Sequence, residues 1–164
     1  MSDYWNTKGP FLCGGYSLAS LGFILLMSTT NKIALIFATC LVTSGCYGCI
    51  ILLPVWLSIN TGGYTKRGAT WALSEMCGLA FSIMGTRVYT DPPRFIKGHG
   101  IVLSITTVAA ISAMVNFLWM RSQNQKKDRT EKEYAERNEI HPHILSNATL
   151  EDVQDQHISF RYIP

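Results

Sequence analysis

The chain has 164 residues, of which 48% are hydrophobic and 15% charged, and its formal net charge is +3. That length suits one domain, and so small and scattered a positive charge excludes the basic stripe of a nucleic-acid binder. The apolar residues come in blocks, which an ordinary water-soluble domain does not require. From Pro10 to Tyr89 the only charges are Lys32, Lys66, Arg67, Glu75 and Arg87, whereas Arg121 to the end carries seven basic and eight acidic residues. This division predicts a membrane-embedded region over 1–120 and a cytoplasmic polar tail over 121–164.

A helix crossing a bilayer needs about 20 predominantly apolar residues. Four stretches have that length: 11–29, 33–58, 69–89 and 99–120. Asp3, Tyr4, Trp5 and Asn6 precede the first where a cleavable leader would carry basic residues, so 11–29 reads as a span. The second stretch has Gly45 and Gly48 on one side, Pro54 within it and Trp56 and Asn60 toward its end. Gly62-Gly63 and the pair Lys66-Arg67 follow. Glycines allow close backbone approach, a membrane helix tolerates proline, and Trp marks an interface. The fourth stretch ends at Trp119. Short connections predict antiparallel neighbours, so the fold class is an all-α membrane protein of four antiparallel transmembrane helices with a polar tail.

Small residues recur four apart at Gly15 and Ala19, Cys40 and Ser44, Gly78 and Ser82, and Ala109 and Ala113, as close helix packing demands. With an even number of spans, Lys8, Lys66, Arg67, Arg121, Lys126, Lys127, Arg129 and Lys132 share one side, against Lys32, Arg94 and Lys97 on the other. That excess predicts both termini in the cytoplasm. In the tail, residues 124–139 pair opposite charges four apart and predict a short solvated helix, stopped by His141-Pro142-His143. The sequon Asn147-Ala148-Thr149 would lie in the cytoplasm and stay unmodified.

No residues assemble as an enzyme site: there is no Ser-His-Asp set, no paired carboxylates and no glycine loop in a strand–helix context. Cys46 and Cys49 match C-x-x-C, but no second pair or neighbouring His completes a metal site, and they read as small packing residues. No metal or cofactor is expected. The sharper candidates are polar groups inside spans. Glu75 stands eight residues after Arg67, about 12 Å along a helix, which places it within the hydrocarbon. It could carry a proton in a symport cycle, or simply snorkel or pair with a neighbouring helix. Arg87, about 18 Å further along the same helix, reads as an interface residue. Tyr47, Trp56 and Asn60 could face a substrate; alternatively Asn60 caps its helix and Trp56 belongs to the aromatic belt.

The run Gly45-Cys-Tyr47 through Pro54, Trp56, Asn60, Gly63, Thr65, Lys66 and Arg67 resembles the tenth helix and following loop of the fungal allantoate permease family. That family is the anion:cation symporter branch of the major facilitator superfamily. Three further segments are similar to it in the right order: Ser2-Asp3 through Gly9-Pro10-Phe11, Tyr89 through Asp91-Pro-Pro93-Arg94-Phe95 with Gly98-His99, and the closing Asp155 to Ile163. The resemblance covers the last four of twelve helices. It implies the C-terminal portion of a plasma-membrane, proton-coupled transporter for a small organic anion such as a vitamin or nitrogen-source acid. It also implies substrate contact at Tyr47, Trp56 and Asn60, and a cytoplasmic loop secured by Lys66 and Arg67. In the third span Ser74, Leu79, Phe81 and Ser82 replace the family's polar pattern, and Glu75 stands where an apolar residue is usual. The other expectation is a four-span membrane protein that does not transport.

Overall fold

The computed structural model describes residues 7–90, 92, 94–137, 157 and 159–164. The stop at His141-Pro142-His143, the sequon at Asn147, the first residues with Ser2-Asp3, and Asp91 and Pro93 lie outside the described residues. Among the described residues the chain is all-helical, in the order α1 (Gly9–Ser28), α2 (Lys32–Ile59), α3 (Tyr64–Val88) and α4 (Ile96–Glu136).

Each helix end has a local cause. Pro10 sits in the first turn of α1, where its missing N–H costs nothing. Asn31 caps α2 by accepting from the N–H of Ile33 at 3.1 Å. Gly63, at φ 80°, turns the chain between α2 and α3, a conformation that glycine adopts without strain. Phe95 starts α4 from φ 48°, with its ring edge-on to Tyr89 at 6.0 Å. Several hydroxyls within the helices are satisfied by the preceding turn, as Thr39 donates to Leu35 O and Thr43 to Thr39 O. Those groups therefore enter an apolar environment already paired.

α1 is the central element and packs against both α2 and α4. Its contact with α2 is backbone-close. A Cβ added at Gly45 would come within 2.5 Å of the carbonyl oxygen of Gly15, and one added at Gly22 within 2.9 Å of Ala38 O. Following α1 forward, its partners on α2 run backward, from Gly45 and Cys49 at Gly15 to Ala38 and Val42 at Gly22. Partners on α4 also run backward, with Phe117 beside Gly9, Ala110 beside Cys13 and His99 beside Phe23. The small pair Gly15 and Ala19 thus meets Gly45, whereas Gly48 and Gly78 would find nothing within 4 Å of an added Cβ among the described residues.

Three helices, α1, α2 and α4, are long and apolar enough to cross a membrane. α3, where the sequence predicts a span over 69–89, is as long but is not among them. Glu75, Arg87 and its serines, threonines and glycines dilute its apolar residues. α3 buries no residue at all. α4 departs differently: it continues without a break through the polar stretch predicted as a separate short helix. No proline and no glycine after Gly100 interrupts it, and charge pairs four apart favour continuation. Its 41 residues make about 60 Å of helix, roughly twice the hydrocarbon thickness.

Apolar side chains are exposed along the helices, among them Ile33, Ile36, Phe37, Ile50, Ile51, Val108 and Val115. A surface of that kind suits lipid or further helices. The buried cluster consists of Leu12, Cys49, Trp56, Ala113, Met120 and Tyr162, so it joins α1, α2, α4 and the chain's last residues. It sits at the end of the bundle where α1 begins and α2 finishes.

Candidate functional site

The candidate site is built where α2 ends. Trp56 and Asn60 are one turn apart and so share a face, and both are buried. Asn60 is the residue that closes α2: its N–H bonds to Trp56 O at 3.2 Å, and its side-chain Nδ2 donates to the same carbonyl at 2.9 Å. The cap leaves the rest of that amide directed at another segment of the chain.

That segment is the closing stretch, residues 159–164. Asn60 Nδ2 donates to Ile163 O at 2.9 Å, and Ile163 N–H donates to Asn60 Oδ1 at 2.7 Å. Trp56 Nε1 donates to the same Ile163 carbonyl at 2.8 Å. One residue earlier the partner is on α4: Asn124 Nδ2 donates to Tyr162 O at 2.7 Å, and Tyr162 N–H donates to Asn124 Oδ1 at 2.9 Å. A carboxamide carries one donor side and one acceptor side, and so matches the N–H and C=O that one residue presents on the same side. Successive residues of an extended chain present those groups to opposite sides, which is how Ile163 meets α2 and Tyr162 meets α4. Lys8 N–H completes the arrangement by donating to Pro164 O at 2.8 Å.

Side chains add to this backbone recognition. The buried Tyr162 ring lies 5.6 Å from Trp119 and 5.3 Å from Phe160, and Lys127 Nζ stands over both the Phe160 and Tyr162 rings. Lys127 Nζ also donates to His157 O and Phe160 O. Arg161 pairs with Asp128 at 3.1 Å and Glu131 at 2.6 Å, with 33% of the Arg161 side chain exposed. Exposed pairs of this kind contribute about 0–1 kcal/mol, so most of the holding falls to the buried Asn60 amide, the half-buried Asn124 amide and the buried Tyr162 ring.

The other sequence candidates lie elsewhere. Tyr47 is exposed on the opposite face of α2 from Trp56. Glu75 is exposed on α3. Lys66 and Arg67 occupy the first turn of α3, where Arg67 Nη2 donates to Thr61 O at 3.4 Å across the α2–α3 turn. Cys49 is buried beside Gly15, its Sγ 3.7 Å from Leu12 O, and Cys46 is half-buried. The structure therefore joins Trp56, Asn60 and the nearby loop, and leaves Tyr47 and Glu75 apart. It adds Asn124 and Lys127, which sequence reasoning missed. The available signal was a second asparagine just beyond the apolar part of α4, together with Phe160, Tyr162 and Ile163 closing an otherwise polar tail.

At the opposite end a cleft of about 370 Å³ lies among Leu26, Thr29, Leu35, Arg94, Phe95 and His99. Tyr89 stands edge-on to His99 there.

The chain is 30% identical over 131 residues to an uncharacterised transporter of Schizosaccharomyces pombe, covering 79% of this chain and 26% of that protein. It is 25% identical over 128 residues to the high-affinity nicotinic acid transporter of Saccharomyces cerevisiae, covering 77% of this chain and 24% of that protein. To a thiamine pathway transporter of the same yeast it is 29% identical over 169 aligned positions, 99% of this chain and 30% of that protein. No protein-family profile and no solved structure matches. The chain thus spans about a quarter of the length of the curated relatives it matches. With three membrane-length apolar helices, these similarities identify an integral membrane chain related to transporters.

Proposed function

We propose that the chain is the closing part of a membrane transporter that takes up a small organic anion, such as a vitamin or nitrogen-source acid, together with a proton. The observation that carries this reading is similarity to transporters along most of the chain, one of them named for nicotinic acid. The order of contacts along α1 supports an antiparallel, up-and-down arrangement of the kind found in the major facilitator superfamily. The Lys8–Pro164 hydrogen bond supports both ends lying on one side, and the basic excess favours the cytoplasm for that side.

A path for substrate between two halves needs more helices than these four. Exposure all along α3, including Trp71, Leu73 and Phe81, supports its contact with such helices in the complete protein. In that assembly Tyr47 is the candidate for direct substrate contact from α2. Trp56 and Asn60 now hold Ile163, so an anion reaches their polar groups only when the closing segment moves. Glu75 is the proton-carrying candidate, and Arg67 secures the loop through Thr61.

The test is uptake by cells that express the complete reading frame and lack their own uptake of such acids. Accumulation of one small organic anion that rises as external pH falls supports the reading. Accumulation of none across a panel of vitamin and nitrogen-source acids contradicts it.

A further inference from the structure

We propose that the end of α2 and the facing part of α4 form a peptide-backbone receptor whose ligand is the chain's own closing segment. Docked there, the segment acts as a latch between the two helices. The receptor has two arms. Asn60 on α2 grips the N–H and C=O of Ile163, and Asn124 on α4 grips those of Tyr162. Neither arm reads a side chain, so attachment depends on extended backbone at these two positions. Selectivity for this segment comes from its neighbours: Tyr162 fills the buried cluster, and Arg161 faces Asp128 and Glu131.

The latch differs from a passive tail in what it joins. α1 packs directly against both α2 and α4, and the closing segment adds a second connection between those two helices at one end only. It also returns to the start of α1 through Lys8 N–H and Pro164 O. The start of α1, the end of α2 and the facing part of α4 are therefore held together while the segment is docked, and freed relative to one another when it leaves. The arms are side-chain amides rather than a sheet edge, so release breaks side-chain hydrogen bonds, the Arg161 pairs and the packing of Tyr162 without unfolding any helix.

Arg161-Tyr162 is a bond that trypsin cuts only in an accessible chain, and cleavage tracks the population of the open form. The full chain would be digested in detergent, following release of Tyr162–Pro164 by mass spectrometry. A synthetic peptide of residues 157–164 gives the unprotected rate. The expected result is cleavage about a hundredfold slower in the chain than in the peptide, with Asn60→Ala and Asn124→Ala each recovering about tenfold. Thr107→Ala, exposed elsewhere on α4, leaves the rate unchanged. Ile163→Pro removes the N–H given to Asn60 while leaving every helix intact, and is expected to speed cleavage relative to a peptide with the same change. Wild-type cleavage at the free-peptide rate overturns the proposal. So does an accelerated rate in only one of the two asparagine variants when both elute like the wild type, or unchanged protection in Ile163→Pro.

Discussion

Asn60 and Ile163, 103 positions apart in sequence, exchange two hydrogen bonds: Nδ2 to the Ile163 carbonyl at 2.9 Å and the Ile163 N–H to Oδ1 at 2.7 Å. Trp56 supplies a third at 2.8 Å to the same carbonyl. The end of a membrane-length helix is thus finished by backbone from the other end of the chain. Trp56→Phe keeps the ring and loses the indole donor, and is expected to lower stability in detergent by about 0.5–1.5 kcal/mol. Trp56→Ala also empties part of the buried cluster and is expected to cost about 3–5 kcal/mol. Denaturant unfolding of the two variants side by side checks the ordering; no loss in Trp56→Phe would contradict the hydrogen-bonded role of the indole, and equal losses would contradict the packing role of its ring.

The α1–α2 contact makes a second prediction. A methyl at Gly45 meets the Gly15 carbonyl at 2.5 Å and Ala19 N at 2.8 Å, both backbone atoms that cannot turn away. Gly45→Ala is expected to destabilise by about 1–3 kcal/mol through overpacking. Gly48→Ala meets nothing within 4 Å among the described residues and gains about 0.5–1 kcal/mol from helix preference. Opposite shifts in the thermal midpoint of the two variants would establish that the helices touch on the Gly45 side of α2.

Glu75 sets the third. Its exposure on α3 puts the carboxylate against lipid, water or helices outside this chain. Glu75→Gln is expected to leave membrane insertion intact and to abolish the pH dependence of uptake by the complete protein. Uptake unchanged at every pH would remove Glu75 from proton coupling.

Orientation can be read independently. A glycosylatable reporter fused after Pro164 is expected to remain unglycosylated, because the C-terminus shares its side with Lys8 and the basic start of the tail. Glycosylation of that reporter would reverse the assignment.

The helices were legible because hydrocarbon imposes length and apolarity on any segment that crosses it. The stretches 11–29 and 33–58 fall within a residue or two of α1 and α2. For α4 the apolar pattern located the first half, but helix continuation through Arg121 depends on the absence of breakers, which hydropathy does not register. Small-residue spacing gave the right surface at Gly15 and Ala19, but a Cβ added at Gly78 would meet nothing within 4 Å among the described residues, since spacing names a face and not its partner. At the site, the types of Trp56 and Asn60 marked them as chemically unusual. What they hold was hidden, because Ile163 is recognised through its backbone, and every residue but proline carries the same two groups. Asn124 was hidden for the same reason.

The most direct test of the central reading is the transcript sequence upstream of the Met1 codon. The predicted result is an open frame running into this one and encoding further apolar spans of about 20 residues each, sufficient to complete a transporter around α3. In-frame stop codons immediately upstream, with no such spans joined to this chain in any transcript, would contradict it.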